Sequence, residues 1–409
     1  MKKNLIILLI VVVGAGVLYF LLGGKAPSGL PIIGGSPFGT PPDQNDGGSA
    51  TSSDSGENGA PTGGENGLGA NGQPINPLFK VSEGPIAGGV SFLKNGSEYV
   101  RYVDRATGHV TEVKISTLER TKILNTTRPH IYEAIWKSDG SGFIERSLDG
   151  DDEVISNMSV SISKPSSTST DGLLLAKLTL LRGDVGDIVV TPDGSLVYNL
   201  RDTGAVAISS FLGERPRTLF TMPFTSWKIL PVSNTLSLIS TKPSAFALGY
   251  AYNLDLRSGS LTKVLGPLPA LSIKPSSDGG RIAYSFNGGD KMELQTQNLK
   301  TKVVSTISPA TLAEKCVWSK KLTSILICGI PESGLGREVP DLWYQGVTTY
   351  SDKVWRFNVD TETAEILLDP EGGFNLNVDV TDPALSPDEG YLLFTNKNDL
   401  SLWAIRLLP

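Results

Sequence analysis

A tight turn between two apolar runs recurs along most of the chain. The clearest copies are VVTPDGSLVYN (189–199) and LSPDEGYLLFTN (385–396). Pro fixes φ ahead of the bend, Asp bonds back to the backbone, and Gly accepts positive φ. The β-branched and aromatic residues on either side suit buried strands, so each copy predicts a hairpin of two such strands.

Seven segments fit this frame, with successive gaps of 44, 54, 40, 45, 43 and 67 residues between turn centres. A period in the low forties is typical of a four-stranded β-propeller blade. The sequence therefore predicts an all-β fold, a β-propeller over 77–409 with about seven blades and a range of about six to eight. An open array or a β-sandwich is the alternative. The turn centres are Asn95, Asp139, Asp193, Ser233, Asp278, Lys321 and Asp388.

Further pairs of apolar runs lie between these turns and predict the outer hairpin of each blade. The four segments are 102–113, 253–264, 296–307 and 357–368. After the last turn too little chain remains for a fourth strand, whereas NPLFKVSEG (76–84) is a spare strand before the first repeat. We expect 76–84 to pair with Leu400–Leu407 and close the ring, because closure removes an exposed sheet edge.

The N-terminus has the composition of a membrane anchor. MKKN precedes LIILLIVVVGAGVLYFLL (5–22), an uncharged run that as a helix would span about 27 Å. The basic residues before the run place the N-terminus in the cytoplasm and the body outside it. Residues 1–23 are thus predicted to be a single-pass anchor, with a cleaved signal peptide as the alternative. Residues 24–76, rich in Gly, Pro, Ser and Asn, are predicted to be a disordered linker.

The SPDG or TPDG turn followed by an apolar strand resembles the TolB-like, WD-repeat-like propeller repeats of bacterial envelope proteins. The resemblance covers about 77–409 at the level of the repeats, and Asn95, Ser233 and Lys321 depart from it. The blades at those three turns are inferred mainly from the spacing of the repeats. The anchor, the linker and the closing FTNKNDLSLWAIRL are also similar to uncharacterised membrane-anchored propellers of candidate-phylum bacteria, a resemblance that implies no particular activity.

Charge argues against a nucleic-acid partner. Three of the 36 Lys and Arg residues lie in the first 25 residues, which leaves 33 basic residues against 42 acidic ones. Binding to a phosphate backbone needs a concentrated basic face, which this balance opposes.

The sequence holds no recognisable catalytic, metal or cofactor motif. Its two histidines, His109 and His130, are explained as a turn residue and a packed structural residue, and no G-x-S-x-G elbow is present. The acidic segment LDGDDE (148–153) lacks the spacing of a calcium loop. Asp187 and Asp382 begin predicted inner strands, where they cap structure or face the channel. The sequence therefore predicts no catalytic residue, no bound metal and no cofactor.

The two cysteines, Cys316 and Cys328, fall opposite each other if the sixth repeat forms its predicted inner hairpin. Facing residues of an antiparallel pair lie within the distance that a disulfide needs. A location outside the cytoplasm permits that bond, and two small buried thiols are the alternative.

The gap of 67 in the sixth repeat comes from an insertion, 329–352, between the second and third strands of its blade. In a propeller that loop lies on the face where the inner strands begin. Aromatic residues on a loop are typical interface anchors and also stack on sugar rings. The alternative is a lid that packs over the channel without a ligand. The predicted binding residues are Trp343, Tyr344, Gln345, Tyr350 and Trp355.

These observations predict a membrane-anchored, extracytoplasmic propeller that binds or scaffolds. Its partner would be an envelope protein or a surface or cell-wall glycan. The alternative is a propeller enzyme, a hydrolase or lyase that acts on envelope polysaccharide or peptide in the central channel. Such an enzyme requires acids or a metal to converge near the axis.

Overall fold

The computed structural model describes residues 76–149, 154–164, 173–289, 291–336 and 338–407. This part of the chain forms 27 strands, two short α-helices and one 3₁₀ turn. The strands make five four-stranded antiparallel sheets and one seven-stranded sheet. Residues 1–23 and nearly all of 24–76, the predicted anchor and linker, lie outside these ranges. Within the described residues, no helix has the length and apolar character needed to cross a membrane.

Each four-stranded sheet contains four strands that are consecutive in the chain, which we call units 2 to 6. Unit 2 consists of β5 (Ile131–Trp136), β6 (Gly142–Asp149), β7 (Val154–Ser163) and β8 (Leu175–Leu180). Unit 3 consists of β9 (Val185–Val190), β10 (Leu196–Leu200), β11 (Ala205–Ser209) and β12 (Arg217–Thr221). Unit 4 consists of β13 (Trp227–Pro231), β14 (Leu236–Thr241), β15 (Leu248–Asp255) and β16 (Leu261–Pro269).

Units 5 and 6 follow the same plan. Unit 5 consists of β17 (Ser272–Pro275), β18 (Arg281–Asn287), β19 (Met292–Asn298) and β20 (Val304–Ile307). The 3₁₀ turn Ala313–Lys315 then leads into unit 6, and α1 (Asp341–Tyr344) lies within that unit. Unit 6 consists of β21 (Cys316–Trp318), β22 (Ile325–Pro331), β23 (Asp352–Asn358) and β24 (Thr363–Leu368). The second helix, α2 (Pro370–Phe374), follows it.

The seven-stranded sheet contains two such units that share the long strand β1 (Leu78–Lys94). The second half of β1 pairs with β2 (Ser97–Asp104), which continues to β3 (Val110–Lys114) and β4 (Glu119–Leu124) as unit 1. Its first half completes unit 7 beside β25 (Val380–Leu385), β26 (Tyr391–Asn396) and β27 (Ser401–Arg406).

The predicted closure by the N-terminal strand is confirmed. Leu78 pairs with Ile405, Phe79 with Ala404, and Lys80 with Trp403. A register shift then separates Lys80 from Pro85, and the chain passes from the outermost strand of unit 7 to the innermost strand of unit 1.

All seven predicted turns join the first strand of a unit to the second. In unit 3, the Asp193 carboxylate accepts hydrogen bonds from Thr191 Oγ1 at 2.5 Å and from the Ser195 N–H at 3.2 Å. Gly194 follows with φ +85°, a left-handed conformation that favours glycine. The Asp278 carboxylate accepts the same kind of bond from Ser276 Oγ at 2.6 Å.

Three of the four predicted outer hairpins are the third and fourth strands of units 4, 5 and 6. The prediction for 102–113 is wrong, because that segment joins β2 to β3, the second and third strands of unit 1. The Asp104 carboxylate accepts hydrogen bonds from the Thr107 N–H and hydroxyl, both at 2.8 Å. These bonds make the loop between β2 and β3 short and polar, the pattern that we expected of an outer hairpin.

The hydrophobic core is divided among the interfaces between successive units. Val103 of unit 1 packs with Phe143 of unit 2, and each later pair of neighbouring units shares a comparable cluster. The series ends where it began, because Leu402 of unit 7 packs with Val100 of unit 1. First strands of successive units also contact each other, in the pairs β1–β5, β5–β9, β9–β13, β17–β21 and β21–β25. The first strands therefore line a common centre, the central channel.

Candidate functional site

The insertion of unit 6 forms a lid on one face of the molecule. Because each first strand runs toward a turn of the Asp193 type, loops between second and third strands lie on the opposite face, which we call the upper face. The lid, residues 332–336 and 338–351, joins β22 to β23 and contains α1. This is the position that the sequence predicts for it.

Buried charges hold the lid on unit 7. The indole N–H of Trp343 donates to Asp379 Oδ2 at 2.9 Å, and the Tyr350 N–H donates to the same oxygen at 3.1 Å. Lys315 Nζ lies 2.5 Å from Asp379 Oδ1 and 2.7 Å from Asp352 Oδ2, and all three charged side chains are fully buried. One ammonium therefore joins the base of the lid to the strands on either side of it.

The Lys315 ammonium is also enclosed by aromatic rings. Its Nζ lies 5.2 Å from the ring centres of both Trp343 and Tyr350, a cation–π distance. Burial raises the pKa of the Asp352 carboxyl to about 6, although Lys315 opposes this shift. A second carboxylate, Asp379, adds to the rise, as expected when like charges share a site.

Two further anchors tie the lid to units 4 and 5. The Tyr344 hydroxyl donates to Glu314, which also pairs with Lys228 Nζ at 2.9 Å and lies 3.4 Å from Ser272 Oγ. The Ala245 N–H of unit 4 donates to Asp341 Oδ2 at 2.6 Å. The lid thus spans from unit 6 across unit 5 to unit 4.

Burial would raise the pKa of Glu314, but the Lys228 charge and the Tyr344 and Lys228 hydrogen bonds outweigh it and lower that pKa. Glu314 in turn raises the pKa of Lys228 above its ordinary range. This pair is therefore ionised when the lid is in place.

The five predicted binding residues fall into three groups. Trp343 and Tyr350 are buried under the lid, as in the lid arrangement that the sequence left open. Tyr344 is half-buried on Glu314, and Trp355 lies in β23, stacked on Phe357 with ring centres 6.1 Å apart. Gln345 alone is largely exposed, at the tip of the lid.

The exposed apolar side chains of the upper face lie beside that tip. Phe246 is 77% exposed, Leu248 57% and Val347 69%. Phe246 follows Ala245, whose N–H bonds to α1, Leu248 begins β15 two residues later, and Val347 lies three residues after α1, so the three residues belong to adjoining segments. We call them the rim patch. The sequence predicted the lid half of this surface but not the loop of unit 4.

Charged side chains from six units converge on the central channel. All lie four to seven residues before a turn centre, on or just before a first strand: Glu133, Asp187, Lys228, Lys274, Glu314 and Asp382. These charges influence one another's pKa. Glu314, Asp382 and Asp187 raise the pKa of Lys228. Asp382 and Glu314 raise the pKa of Lys274, and Lys228 lowers it. Lys228 keeps 40% of its side chain accessible, so water reaches this part of the channel.

Most of these charges have partners. Glu133 pairs with Arg146 at 2.9 Å, and Asp187 accepts the Ile229 N–H at 2.6 Å across the boundary between units 3 and 4. Burial raises the pKa of Asp187 to about 6. The sequence had named Asp187 and Asp382 as capping or channel residues, and here Asp187 both caps and faces the channel charges. A charged residue four to seven positions before each turn centre is the sequence signal that identifies the other four, Glu133, Lys228, Lys274 and Glu314.

The histidines take no part in this cluster. His109 Nε2 lies 3.2 Å from Thr127 Oγ1, and His130 is exposed with φ +63°, so the expectation that His130 is packed is wrong. A group of three His, Cys, Asp or Glu side chains able to hold a metal ion is absent from the described ranges. Residues 150–153 of the acidic segment lie outside them.

Cys316 and Cys328 face each other in the register of β21 and β22 and are joined as a disulfide, with an S–S distance of 2.08 Å. The bond ties the first two strands of unit 6 immediately below the lid. A groove of about 1000 Å³ lies farther out, between units 6 and 7, and is lined in part by Arg356, Leu385 and Glu389. Its lining includes neither the channel charges nor the predicted binding residues.

Comparisons with known proteins bear on the fold. No family model matches the chain, and no curated protein does. Among solved structures, the chain is similar to an oligogalacturonate lyase from Vibrio parahaemolyticus at 11% identity, covering 80% of this chain and 99% of that one, with a TM-score of 0.50. An oligogalacturonate lyase in complex with manganese matches at 10% identity over 79% and 97% of the two chains, with a TM-score of 0.49.

TolB from Acinetobacter baumannii matches at 13% identity over 66% of this chain and 63% of that one, with a TM-score of 0.42. The fold is a β-propeller, as the repeats predicted. At such low identity these likenesses extend to fold alone.

Proposed function

We propose that this chain is a membrane-anchored, extracytoplasmic binding module whose seven units are the blades of a closed propeller. The upper face, at the lid tip and the rim patch, binds an envelope protein or a surface or cell-wall glycan. The anchor is the apolar run 5–22, and the linker 24–76 holds the propeller away from the membrane.

The fixed but exposed lid is the observation that carries this proposal. Its base is anchored through Asp379, Glu314 and Ala245, while Gln345 and Val347 at its tip remain accessible. A loop held in one conformation loses little further freedom on binding, so more of the contact energy appears as affinity. The neighbouring rim patch supplies the apolar contact that interfaces use.

Two observations support the proposed location outside the cytoplasm. The Cys316–Cys328 disulfide suits an oxidising environment, and such bonds persist outside the cytoplasm. The uncharged run 5–22 behind Lys2 and Lys3 favours the same orientation.

Capture experiments on substituted proteins test the proposal. The tagged full chain, kept in a mild detergent, is incubated with envelope fractions, and the bound material is quantified. Phe246→Asp and Val347→Asp should each lower capture about tenfold, because each places a charge in the apolar contact. Leu322→Asp is the matched control, since Leu322 is 63% exposed on the opposite face.

Protease treatment of the envelope fraction separates the two partner classes. Loss of capture after digestion identifies a protein, and retained capture identifies a glycan. Capture by both upper-face variants at the level of the unsubstituted chain would refute recognition through this face.

The convergence of carboxylates and lysines in the channel favours a second candidate function. An enzyme that acts on envelope polysaccharide or peptide needs acids and bases close together, and Asp187, Lys228 and Glu314 meet that requirement. The full chain is incubated with purified cell-wall polysaccharide and with peptide, and soluble fragments are measured. Release of fragments that Glu314→Gln abolishes would favour the enzyme over the binding module.

A further inference from the structure

Lys274 and Asp382 stand apart from the other channel charges. Within the described residues no ion pair within 4.0 Å and no side-chain hydrogen bond involves either group, whereas Glu133, Asp187, Lys228 and Glu314 all have such partners. The two side chains do sense each other's charge. They are an ammonium and a carboxylate of opposite sign, in the same channel, each with unused hydrogen-bonding capacity.

Asp382 occupies a conformation that costs energy. Its φ is +49°, and the pairing of β25 with β26 shifts register between Thr381 and Ala384, which is a β-bulge. Bulges of this kind redirect a side chain, and a left-handed non-glycine residue is strained. Here the bulge leaves Asp382 exposed on an innermost strand. The strain therefore presents a carboxylate that the fold itself does not pair.

Lys274 lies on β17, the strand whose Ser272 contacts the Lys228–Glu314 pair. It is two residues beyond Ser272, which contacts Glu314, so both side chains point to the same side of β17. Burial lowers the pKa of Lys274, with the Asp382 charge opposing the shift. Lys274 is half-buried, and its ammonium has no acceptor among the described residues, so a ligand anion can pair with it.

We propose that Lys274 and Asp382 form a binding site in the central channel for a small zwitterion, such as a free amino acid. The ligand carboxylate accepts from the Lys274 ammonium, and the ligand ammonium donates to the Asp382 carboxylate. The other channel charges are already paired, so opposite charges on the ligand complement the two that are not. This site is separate from the upper-face contacts and goes beyond the function proposed above.

Calorimetric titration of the full chain in mild detergent tests this site. The probes are L-alanine, D-alanine and L-glutamate, compared with lactate and ethylamine, which each carry one of the two charges. At millimolar concentration an amino acid should bind, and lactate and ethylamine should bind at least about tenfold more weakly, since each loses one charge-assisted bond.

Substitutions assign the binding to the two residues. Lys274→Met and Asp382→Asn should each weaken amino-acid binding by about 10- to 100-fold, whereas Lys274→Arg should retain part of it. Lys300→Met and Asp202→Asn change exposed residues of the same types and serve as controls. Lys274→Arg keeps the charge and supplies the result if Lys274→Met fails to fold.

Three outcomes would overturn the proposal. They are no binding of any amino acid, equal binding of lactate or ethylamine, and unchanged binding in Lys274→Met or in Asp382→Asn. None of them depends on envelope capture, so failure of this site and failure of the upper-face proposal are distinguishable.

Discussion

Replacing Asp379 by Asn tests whether the buried charges hold the lid in place. The substitution keeps the size of the side chain but removes the negative charge that Lys315, Trp343 and the Tyr350 backbone share. Lys315 would then be left, fully buried, with Asp352 as its one carboxylate partner.

Removing one member of a buried ion pair typically costs about 3–5 kcal/mol, because an uncompensated charge remains in a medium of low polarity. Lys315→Met should cost this much, since it leaves the buried carboxylates of Asp352 and Asp379 facing each other without a cation. Asp379→Asn leaves Lys315 paired with Asp352, so we expect a smaller loss of about 2 kcal/mol in the free energy of unfolding, from the weakened charge-assisted hydrogen bonds at that position. The double variant should cost about 2 kcal/mol less than the sum, because it leaves one buried carboxylate without a partner where Lys315→Met leaves two.

Chemical denaturation of the full chain in detergent gives these free energies, and limited proteolysis reports cleavage within the lid. Asp360→Asn is the control, because Asp360 pairs with Arg281 at the surface and should change stability by less than about 1 kcal/mol. A cost below about 1 kcal/mol for Asp379→Asn, or a double variant equal to the sum, would refute the reasoning.

Three further predictions concern pH, the disulfide and ring closure. The raised pKa of Asp187, about 6 against an ordinary value near 4, means that the folded state binds the extra proton; stability should fall as pH rises through that window, by up to about 3 kcal/mol for this group, and Asp187→Asn should remove that part of the slope in denaturation curves while the part from Asp352 remains. Reduction of Cys316–Cys328, 12 residues apart, should cost about 3 kcal/mol, measured by denaturation with and without reductant; complete alkylation before reduction would contradict the bond. Phe79→Ala should cost about 3–5 kcal/mol because Phe79 is buried in the closing strand, whereas exposed Val303→Ala should cost almost nothing; equal costs would contradict closure by this strand.

Much of the fold was predictable because one local signal repeats. In the Asp193 turn the Asp carboxylate accepts a backbone N–H of the same turn and so specifies the hairpin locally, and Asp139 and Asp278 do the same. Spacing alone placed Ser233 and Lys321 correctly, since blades of similar length stack at a fixed period. The spare strand 76–84 followed from counting strands in the last repeat.

The site was harder to predict because it depends on contacts between distant residues. Trp343 reads as a surface aromatic in sequence, but its indole N–H finds Asp379, 36 residues away, and the ring is buried. Lys315 offers no local sign that it will sit between two carboxylates of other strands. Four of the six channel charges were missed for the same reason, since each is one residue per unit and becomes part of a cluster only when the ring closes.

The shared strand β1 also determines how the molecule responds to a pull. Tension on the chain before Pro77 reaches Leu78–Lys80 first, and those residues hold the last unit to the first through backbone bonds to β27. If the proposed N-terminal anchor bears load, the pairing of β1 with β27 is therefore the first part of the closed ring to be placed under tension.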